Sequence, residues 1–320
     1  NGARRLLVIY GDRDPGDVIH KMNTRKDKYD ISGKVHIREG EEKIHAMMED
    51  YEGVIIWDLP SQIRNRYLKY CFSHSIRCYM SPKISDIILL GTDRIHLFDT
   101  PLLMCRNQGL SMEQRAAKRV LDIIVSGLGI IVSSPIMLII AIAVKAYDGG
   151  PVFYLQDRLT YQGKKFRIRK FRSMCVDSEK NGARLASKHD SRITPVGHVL
   201  RNLHLDELPQ LFNVFMGDMS LVGPRPERDV IMQEYEQEIP EFHYRLKVKA
   251  GLTGYAQVYG KYNTTPYDKL KLDLFYIENY SFLLDIKLLF MTVRIFFQKE
   301  VSEGVDDNQK NALKDSEDKK

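Results

Sequence analysis

The chain has 320 residues, a formal net charge of +6 and 28% charged residues. This length allows two ordinary domains with a sizeable core, so neither disulfides nor structural metals are needed to hold the fold. The four cysteines lack C-x-x-C spacing, which excludes a common type of zinc site and indicates reduced thiols in a cytosolic compartment. The mild positive charge alone does not choose among anionic lipid, phosphorylated substrate and nucleic acid.

The N-terminal third predicts a small, Rossmann-like α/β domain at residues 1–106. Apolar runs at residues 5–10 and 53–58 indicate parallel strands, and each precedes a segment of helical length, at residues 17–22 and 61–71. The turn after the first run lacks the glycine spacing of a dinucleotide fingerprint, so we expect no NAD. We expect a structural or oligomerising role, including formation of a homo-oligomer, rather than a regulatory nucleotide or effector site.

An uncharged apolar segment of 22 residues lies at 123–144, within a predicted linker and membrane element at residues 107–148. A continuous helix of this length would reach ~33 Å, about the hydrocarbon thickness of a bilayer. Pro135 removes a backbone donor and clashes with the preceding turn, whereas Ser133 and Ser134 offer hydroxyls to the carbonyls that lose their partners. The segment should therefore bend sharply.

Two arrangements satisfy this bend: a kinked helix that crosses the bilayer, or a helix-break-helix hairpin that enters and leaves on the same face. Lys118, Arg119 and Lys145 flank the segment, so neither end shows the depletion of basic residues typical of a translocated flank. We expect Asp122 to pair with Arg119, which spares it the cost of an unpaired charge near the membrane. The residues disfavour a buried core helix and leave the kinked span and the hairpin equally open.

Residues 149–300 predict a second domain of α+β type. Strand-like runs such as residues 166–171 are separated by Gly and Pro punctuation. Residues 281–298 are strongly apolar but charged at intervals, which predicts an amphipathic helix on a membrane surface or a partner; a core-facing terminal helix explains the pattern equally well. Residues 301–320 predict a disordered, charged tail.

The densest signal for chemistry is the Leu-Asp-Glu-Leu-Pro-Gln-Leu string at residues 205–211. Asp206 can be an N-cap, with a helix predicted over residues 207–216 and Gly217 as its C-terminal stop, and such caps are common. In a functional interpretation, the helix dipole and backbone donors keep the Asp206 carboxylate ionised as a nucleophile. Glu207 would then ligate a cation or move protons.

Phosphate chemistry also requires positive groups. Arg225 lies between two prolines, in a stiff loop that would present its guanidinium to a phosphate with little ordering cost. Within residues 164–173, a strand would place Lys170 and Arg172 on one face, while the neighbouring basic residues face solvent or lipid headgroups. Residues 251–257 form either a backbone nest for an anion or an ordinary tight turn.

Short motifs follow one another along the second half of the chain: Lys118-Arg119-x-x-Asp122, Ser134-Pro135, Gly150-Pro-Val-Phe153, Gln156-x-Arg158, Lys170-Phe-Arg-Ser-Met174, Leu205 to Leu211, Gly217 to Pro226, and Gly251-Leu-Thr-Gly254. With them, residues 115–294 resemble the bacterial sugar transferase family, the monotopic polyprenyl-phosphate phosphoglycosyl transferases that begin capsule, exopolysaccharide and glycan assembly. The N-terminal unit is similar to the accessory domain of the family's larger members. Those members also carry upstream membrane-spanning helices, which this sequence does not contain.

The resemblance implies a re-entrant helix broken at Ser134 and Pro135, with both ends on the cytoplasmic side of the inner membrane. It also implies that Asp206 attacks the sugar-bearing phosphorus of a UDP-sugar, UMP leaves, and undecaprenyl phosphate takes the phospho-sugar from the carboxylate. Glu207 is expected either to assist Mg²⁺, held by Asp206 and Glu207, or to deprotonate the lipid phosphate.

The remaining expectations concern substrates and partners. The predicted substrate-binding and phosphate-binding residues are Arg225, Lys170, Arg172, Arg158 and Thr253. UDP-sugar, undecaprenyl phosphate and membrane lipid are the expected partners, without nucleic acid, and a hexose such as glucose or galactose is the favoured sugar. Two alternatives stay open: a membrane glycosyltransferase that releases UDP, and an inactive membrane-attached scaffold.

Overall fold

In the computed structural model the chain forms two compact units, residues 1–83 and 84–320. The predicted tail at residues 301–320 lies outside the described part of the chain. The described residues are 2–105, 109–176, 190, 192–260 and 264–296.

The first unit is a four-stranded sheet with three helices. Its elements are β1 (Arg4–Tyr10), α1 (Gly16–Asn23), β2 (Tyr29–His36), α2 (Glu41–Glu49), β3 (Gly53–Trp57), α3 (Ser61–Ser73) and β4 (Arg77–Met80). The strands lie in the order β2-β1-β3-β4, and every neighbouring pair runs parallel. The predicted strands and the α/β class are therefore confirmed for this unit. The narrower Rossmann-like description and the oligomerising role stay predictions.

Both faces of this sheet are buried. Leu7 and Ile9 pack with residues of α2 and α3, whereas Leu6 and Val8 pack on the opposite side, which α1 covers. Successive strand side chains point to opposite faces, so a strand covered on both sides must be apolar throughout. This explains why the first strand appears in the sequence as an unbroken apolar run.

The second unit contains the remaining helices and strands and three 3₁₀ turns, at Tyr161–Gly163, Leu205–Glu207 and Pro240–Lys247. Its helices and strands are α4 (Ile84–Leu90), β5 (Asp93–Leu97), β6 (Thr100–Met104), α5 (Met112–Asp148), β7 (Phe153–Leu159), β8 (Lys165–Phe171), α6 (Pro195–Asn202), α7 (Gln210–Met216), β9 (Ser220–Val222), α8 (Asp229–Glu238), β10 (Gly251–Thr253), α9 (Tyr255–Tyr259), α10 (Pro266–Glu278) and α11 (Phe282–Phe296).

The second unit begins earlier than the sequence predicted. The first domain was expected to end at residue 106, but α4 belongs to the second unit because Ile84 and Ile87 are buried in the same core as Val222 and Leu274. The compact units therefore divide after residue 83.

The predicted membrane element is helix α5, 37 residues long, with Pro135 inside it. The helix begins with a capping box formed by Ser111 and Gln114. It is the one described helix that is long and apolar enough to cross a membrane. Val132 and Ile131 are 77% and 70% exposed, and such an apolar surface suits lipid better than water. The structure thus supports membrane association of this helix.

The two serines before Pro135 bond to backbone carbonyls as predicted. Ser134 Oγ donates to the carbonyl of Ile131 at 2.8 Å, and Ser133 Oγ donates to that of Gly129 at 2.6 Å. Ile131 lies four residues before Pro135, so its carbonyl is the one deprived of an amide partner by the proline. The helix assignment continues through Ser134 and Pro135. The sharp bend and the re-entrant path stay predictions.

Asp122 was predicted to pair with Arg119, but its partners are different. Its Oδ1 atom accepts hydrogen bonds from the hydroxyl of Ser220 at 3.0 Å and from the amide of Leu221 at 2.9 Å. Both donors lie in β9, nearly a hundred positions away, and the burial of Asp122 requires such partners. Asp122 therefore fixes α5 to β9.

Arg119 instead caps the end of α7. It donates to the carbonyls of Val214 and Phe215, both at 2.7 Å. These carbonyls lie in the last turn of α7, where intrahelical partners run out. Gly217 follows with a φ of 94°, in the left-handed region that glycine adopts at low cost, so the predicted helix stop is confirmed.

Lys118 forms a buried ion pair with α11. Its Nζ atom lies 2.6 Å from Asp285 Oδ2 and donates to the hydroxyl of Tyr276 at 2.9 Å, and that hydroxyl donates to Asp285 Oδ1 at 2.7 Å. The Lys118 side chain is 7% exposed and that of Asp285 is fully buried. Within the apolar segment at residues 281–298, α11 thus buries Asp285 in the core and exposes residues such as Leu283.

We predict that Asp285→Leu alone lowers the free energy of unfolding by about 3–5 kcal/mol, because the Lys118 charge stays buried without its partner. The double variant with Lys118→Met should be markedly more stable than Asp285→Leu, since no isolated charge remains. Denaturation of the purified protein in nanodiscs measures both, with Lys287→Met on an exposed position of α11 as control. If the double variant loses as much stability as Asp285→Leu and the single variant Lys118→Met do together, the pair is not coupled.

Candidate active site

Asp206 and Glu207 lie in the 3₁₀ turn between α6 and α7. The amides of Glu207 and Leu208 donate three residues back, to His204 and Leu205. Pro209 follows and has no amide to donate, so regular α-helix starts only at Gln210. The predicted helix over residues 207–216 therefore begins later than expected, and Asp206 is not its N-cap.

His204, immediately before the turn, has a φ of 52°. This left-handed conformation is uncommon for a residue with a Cβ and costs on the order of 1–3 kcal/mol when the surroundings impose it. His204 thus separates the end of α6 from the turn that carries Asp206 and Glu207. The residue type gave no sign of this conformation.

Two cations hold the Glu207 carboxylate. Lys170 Nζ, from β8, lies 2.7 Å from Glu207 Oε1, and a terminal guanidinium nitrogen of Arg225 lies 3.0 Å from the same oxygen. Burial raises the pKa of Glu207, but the charges of Arg225 and Lys170 outweigh it and hold this pKa well below its ordinary value. Glu207 is therefore ionised at neutral pH. The structure brings together Glu207, Lys170 and Arg225, three of the predicted site residues.

Asp206 has the opposite electrostatic environment. The residue is 8% exposed, and burial raises its pKa, as does the adjacent Glu207 carboxylate. The charges of Lys170 and Arg201 partly oppose this rise. The sequence predicted a carboxylate kept ionised by a helix dipole, which is wrong because no helix begins at Asp206. The two neighbouring acids thus have pKa values shifted in opposite directions, a pattern typical of sites where they have different roles.

Arg201 is a site residue that the sequence analysis missed. It lies in the last turn of α6, where its Nε donates to Ser173 Oγ at 2.9 Å. Burial lowers the pKa of Arg201, and the nearby Asp206 carboxylate counteracts this. The one available signal was its place in the helix that leads into the Asp-Glu string. No spacing rule singles it out from other basic residues.

Arg158 and Arg245 support the loop that carries Arg225. Arg158 donates to the carbonyl of Pro226 at 3.1 Å, and Arg245 donates to the carbonyl of Arg225 at 3.1 Å. Both also approach the Glu227 carboxylate, at 3.9 and 3.6 Å. Arg158 was expected to bind substrate, but the contacts found for it are with the Arg225 loop and its own strand.

Close backbone contact joins this loop to β10. A Cβ atom on Gly251 would lie 2.1 Å from the amide nitrogen of Gly223, so only glycine fits there. The Gly223 amide donates to the Thr253 carbonyl, and the Gly251 amide donates to the Pro224 carbonyl. These amides are therefore already bonded within the fold, which favours the tight-turn interpretation of residues 251–257 over an anion nest.

Arg172 does not join the site, contrary to the prediction. β8 ends at Phe171, so the strand alternation that would align Arg172 with Lys170 does not extend to it. Its guanidinium pairs with Asp148 at the end of α5, at 2.6 Å, and its Nε donates to the Pro151 carbonyl at 2.7 Å. Arg172 therefore fastens the end of the apolar helix to the β7–β8 hairpin.

Thr253 lies in the wall of a cavity that Glu207 also lines. Its hydroxyl is hydrogen-bonded to that of Thr292 at 2.7 Å. The cavity has a volume of about 480 Å³ and includes Glu207 and His204 in its lining. The rest of the lining is apolar apart from these two threonines, and comes from Leu208 and from α5, α7, β9, β10 and α11.

Asp206 and Glu207 were also predicted to hold Mg²⁺. Among the described residues, no group of three or more His, Cys, Asp or Glu side chains could enclose a metal ion. Mg²⁺ commonly binds one or two carboxylates and completes its octahedron with water and substrate phosphates. Asp206 and Glu207 supply the number of carboxylates that this mode of binding uses.

The matches with known proteins agree with this geometry. The family described as "Bacterial sugar transferase" matches residues 113–299, more than half of the chain, including both acids, Lys170 and Arg225. The chain belongs to the bacterial sugar transferase family. The family resemblance of the sequence is confirmed.

Several relatives of this bacterial sugar transferase carry names that state an activity. An Aeromonas hydrophila protein named UDP-N-acetylgalactosamine-undecaprenyl-phosphate N-acetylgalactosaminephosphotransferase is 45% identical over 72% of this chain and 54% of its own length. The Escherichia coli K12 UDP-glucose:undecaprenyl-phosphate glucose-1-phosphate transferase is 40% identical over 90% of this chain and 61% of its own. A Salmonella typhimurium undecaprenyl-phosphate galactose phosphotransferase is 36% identical over 68% and 49%. The chain spans about half the length of the curated relatives it matches.

We predict that Lys170→Met shifts the acid limb of the pH–rate profile of the sugar transferase to higher pH. Lys170 lowers the pKa of both acids, so without it both pKa values rise and each carboxylate protonates earlier as the pH falls. Rates measured between pH 4 and pH 9 test this, with Lys164→Met, an exposed lysine next to the same strand, as control. An unchanged acid limb in Lys170→Met would exclude an ionised acid of this pair from the rate-determining chemistry.

Proposed function

We propose that this protein transfers a sugar 1-phosphate from a UDP-sugar to undecaprenyl phosphate, releasing UMP, at the cytoplasmic face of the cell membrane. The single observation that carries the proposal is the buried Asp206 beside a Glu207 carboxylate held by Lys170 and Arg225. Membership of the family and the names of the relatives support the same reaction class. This step would begin the membrane stage of exopolysaccharide, capsule or other glycan assembly.

In the first half-reaction, a carboxylate oxygen of Asp206 attacks the sugar-bearing phosphorus of the donor. A bond forms between that oxygen and phosphorus, the bond from phosphorus to the bridging oxygen breaks, and UMP leaves with the bridging oxygen. The product on the enzyme is a mixed anhydride of the carboxylate and the sugar phosphate. Burial of Asp206 supports this role, because a poorly hydrated carboxylate loses little solvation when it reacts.

In the second half-reaction, a phosphate oxygen of undecaprenyl phosphate attacks the same phosphorus. The bond to Asp206 breaks and the carboxylate is regenerated, so the product is a sugar joined to the lipid through a diphosphate. Two sequential displacements let a soluble donor and a membrane-embedded acceptor use one nucleophile without binding together.

Lys170 and Arg225 are the groups that counter the phosphate charge. Both already point at one oxygen of Glu207, so their positions are fixed before substrate arrives, and preorganised charges stabilise a transition state at little reorganisation cost. The lowered pKa of Glu207 makes it a weak base. We therefore assign to Glu207 the orientation of the two cations rather than deprotonation of the lipid.

Asp206 and Glu207 would hold Mg²⁺ together with the donor phosphates. When bound, the ion would neutralise charge on the leaving phosphate. Arg158 and Arg245 act as positioning residues through the Arg225 loop in this proposal.

The membrane location follows from the acceptor. Helix α5 would enter the bilayer with its apolar surface and, on the re-entrant path, return to the cytoplasmic face, which would put the acids near the level of the lipid phosphates.

The names of the relatives refer to N-acetylgalactosamine, glucose and galactose, so the family alone does not select the sugar.

We predict that the enzyme, given undecaprenyl phosphate and a panel of UDP-glucose, UDP-galactose, UDP-N-acetylglucosamine and UDP-N-acetylgalactosamine, releases UMP from at least one donor. The product follows from attack at phosphorus rather than at the sugar carbon. Chromatography of the released nucleotide measures it. Release of UDP would instead support a glycosyltransferase that cleaves the sugar–oxygen bond, and no turnover with any donor would support an inactive scaffold.

We also predict that Asp206→Asn abolishes turnover and that Glu207→Gln nearly does. The amide of the first variant cannot form the anhydride, and that of the second no longer pairs with the two cations. Asp17→Asn, on helix α1 of the first unit, is the matched control and should retain full activity. Turnover is measured by transfer of labelled sugar phosphate to lipid, and full activity in Asp206→Asn would refute its role as nucleophile.

A further inference from the structure

The cavity that Glu207 lines is also lined by residues of α5 and α11. Its volume of about 480 Å³ lies within the range of about 300–1,000 Å³ that is typical of small-ligand pockets. Leu121 and Val125 of α5 form one wall, and Ile286, Leu289 and Val293 of α11 form the other. Of the two site acids, Glu207 is thus part of a lining whose other side chains are mostly aliphatic.

The few polar groups in the walls have hydrogen-bond partners within the fold. The hydroxyls of Thr253 and Thr292 bond to each other, and that of Thr292 also donates to the carbonyl of Leu288 at 2.7 Å. A ligand along the walls thus meets almost only apolar surface. A nucleotide or a sugar would lose its hydration there without compensating hydrogen bonds, so the walls disfavour the donor.

Glu207 is the acidic side chain in the lining, and the two cations bonded to it have the charge that a phosphate requires. Glu207 contributes one negative charge, and Lys170 and Arg225, which bond to it, contribute two positive charges. A ligand that carries a phosphate at one end of an apolar chain matches this polarity, because phosphates pair strongly with lysine and arginine.

The outer part of the cavity is open on the side of the exposed apolar surface. Phe290 and Val293 belong to its lining and are nevertheless 73% and 56% exposed. Leu128 and Ile124 of α5 are also exposed, at 59% and 54%. A chain that leaves the cavity would therefore pass directly onto the surface that suits the bilayer.

We propose that this cavity, the acceptor groove, holds the isoprenyl units next to the phosphate of the lipid acceptor. This inference rests on the proposed function and adds to it the place where the acceptor binds. The groove is far too small for a chain of eleven isoprenyl units, so it takes the units nearest the phosphate and leaves the rest in the membrane. The donor phosphates reach the acids from outside the apolar walls.

The test compares acceptor and donor kinetics in two groove variants at exposed positions. Val293→Trp fills the groove and Phe290→Ser removes apolar wall, and neither position is buried, so the melting temperature should stay at the wild-type value. We expect the KM for undecaprenyl phosphate to rise about tenfold in both, since a loss of contact with about two methylene groups has that effect. The KM for the UDP-sugar should not change.

A short acceptor separates groove binding from partition into the membrane. Farnesyl phosphate in detergent carries three isoprenyl units next to its phosphate, so its KM should also rise in the variants. Leu283→Trp is the matched control, because Leu283 lies on the same helix, is 76% exposed and is outside the groove lining. It should leave both acceptor KM values unchanged.

The outcomes that overturn the inference are distinct from failure of the proposed function. An unchanged acceptor KM in both groove variants, an equal rise in donor KM, or an equal rise in Leu283→Trp would show that the groove does not hold the acceptor, while wild-type transfer would still stand. Absence of UMP release and lipid transfer in the wild-type enzyme would instead refute the proposed function itself.

Discussion

The site depends on one interaction, the Glu207 carboxylate held between Lys170 and Arg225. Lys170 arrives on strand β8, Arg225 on the loop after β9, and Glu207 on a 3₁₀ turn, so three separate parts of the second unit meet at one oxygen atom. The two cations offset the burial cost of the carboxylate, whose pKa is held low while burial raises the pKa of neighbouring Asp206. Glu207 thus fixes the positions of the two cations, and Asp206 is a buried, poorly solvated carboxylate.

The apolar helix α5 is held to the rest of the second unit by polar contacts near both of its ends. Lys118 binds Asp285 of α11, Asp122 binds β9, and the end of the helix is held through Arg172. Each tie is a buried or half-buried polar contact that would be unfavourable if its partner were displaced. If α5 enters a membrane as proposed, its depth there would therefore set the depth of the acids and of the proposed acceptor groove. In the proposed reaction, these contacts would keep the nucleophile at the level of the phosphate of a membrane lipid, where it can also react with a soluble donor.

Sequence patterns that span a few residues predicted much of this fold, but they did not predict the contacts between side chains that are distant in the sequence. The parallel strands, helix α5, strand β8, the Gly217 stop and the serine bonds before Pro135 follow from periodicity, propensity and missing amides within a few residues. The partners of Asp122 and Arg172 are separated from them by 98 and 24 positions, and Lys118 and Asp285 by 167. Helix spacing suggested Arg119 as the partner of Asp122, and strand alternation suggested a phosphate as the partner of Arg172. Both predictions were wrong because neither pattern contains the tertiary contacts that determine the actual partners. Arg201 and the strained His204 had no local signal at all.

The most direct test of the account is the mass of the intact protein, quenched in acid after incubation with a competent UDP-sugar and no acceptor. If Asp206 is the nucleophile, the enzyme should gain the mass of one sugar phosphate. Peptide analysis should locate this adduct on Asp206, and addition of undecaprenyl phosphate should remove the adduct. Asp206→Asn should show no gain under the same conditions. An enzyme that turns over with both substrates but never carries the adduct, or carries it on another side chain, would contradict the account.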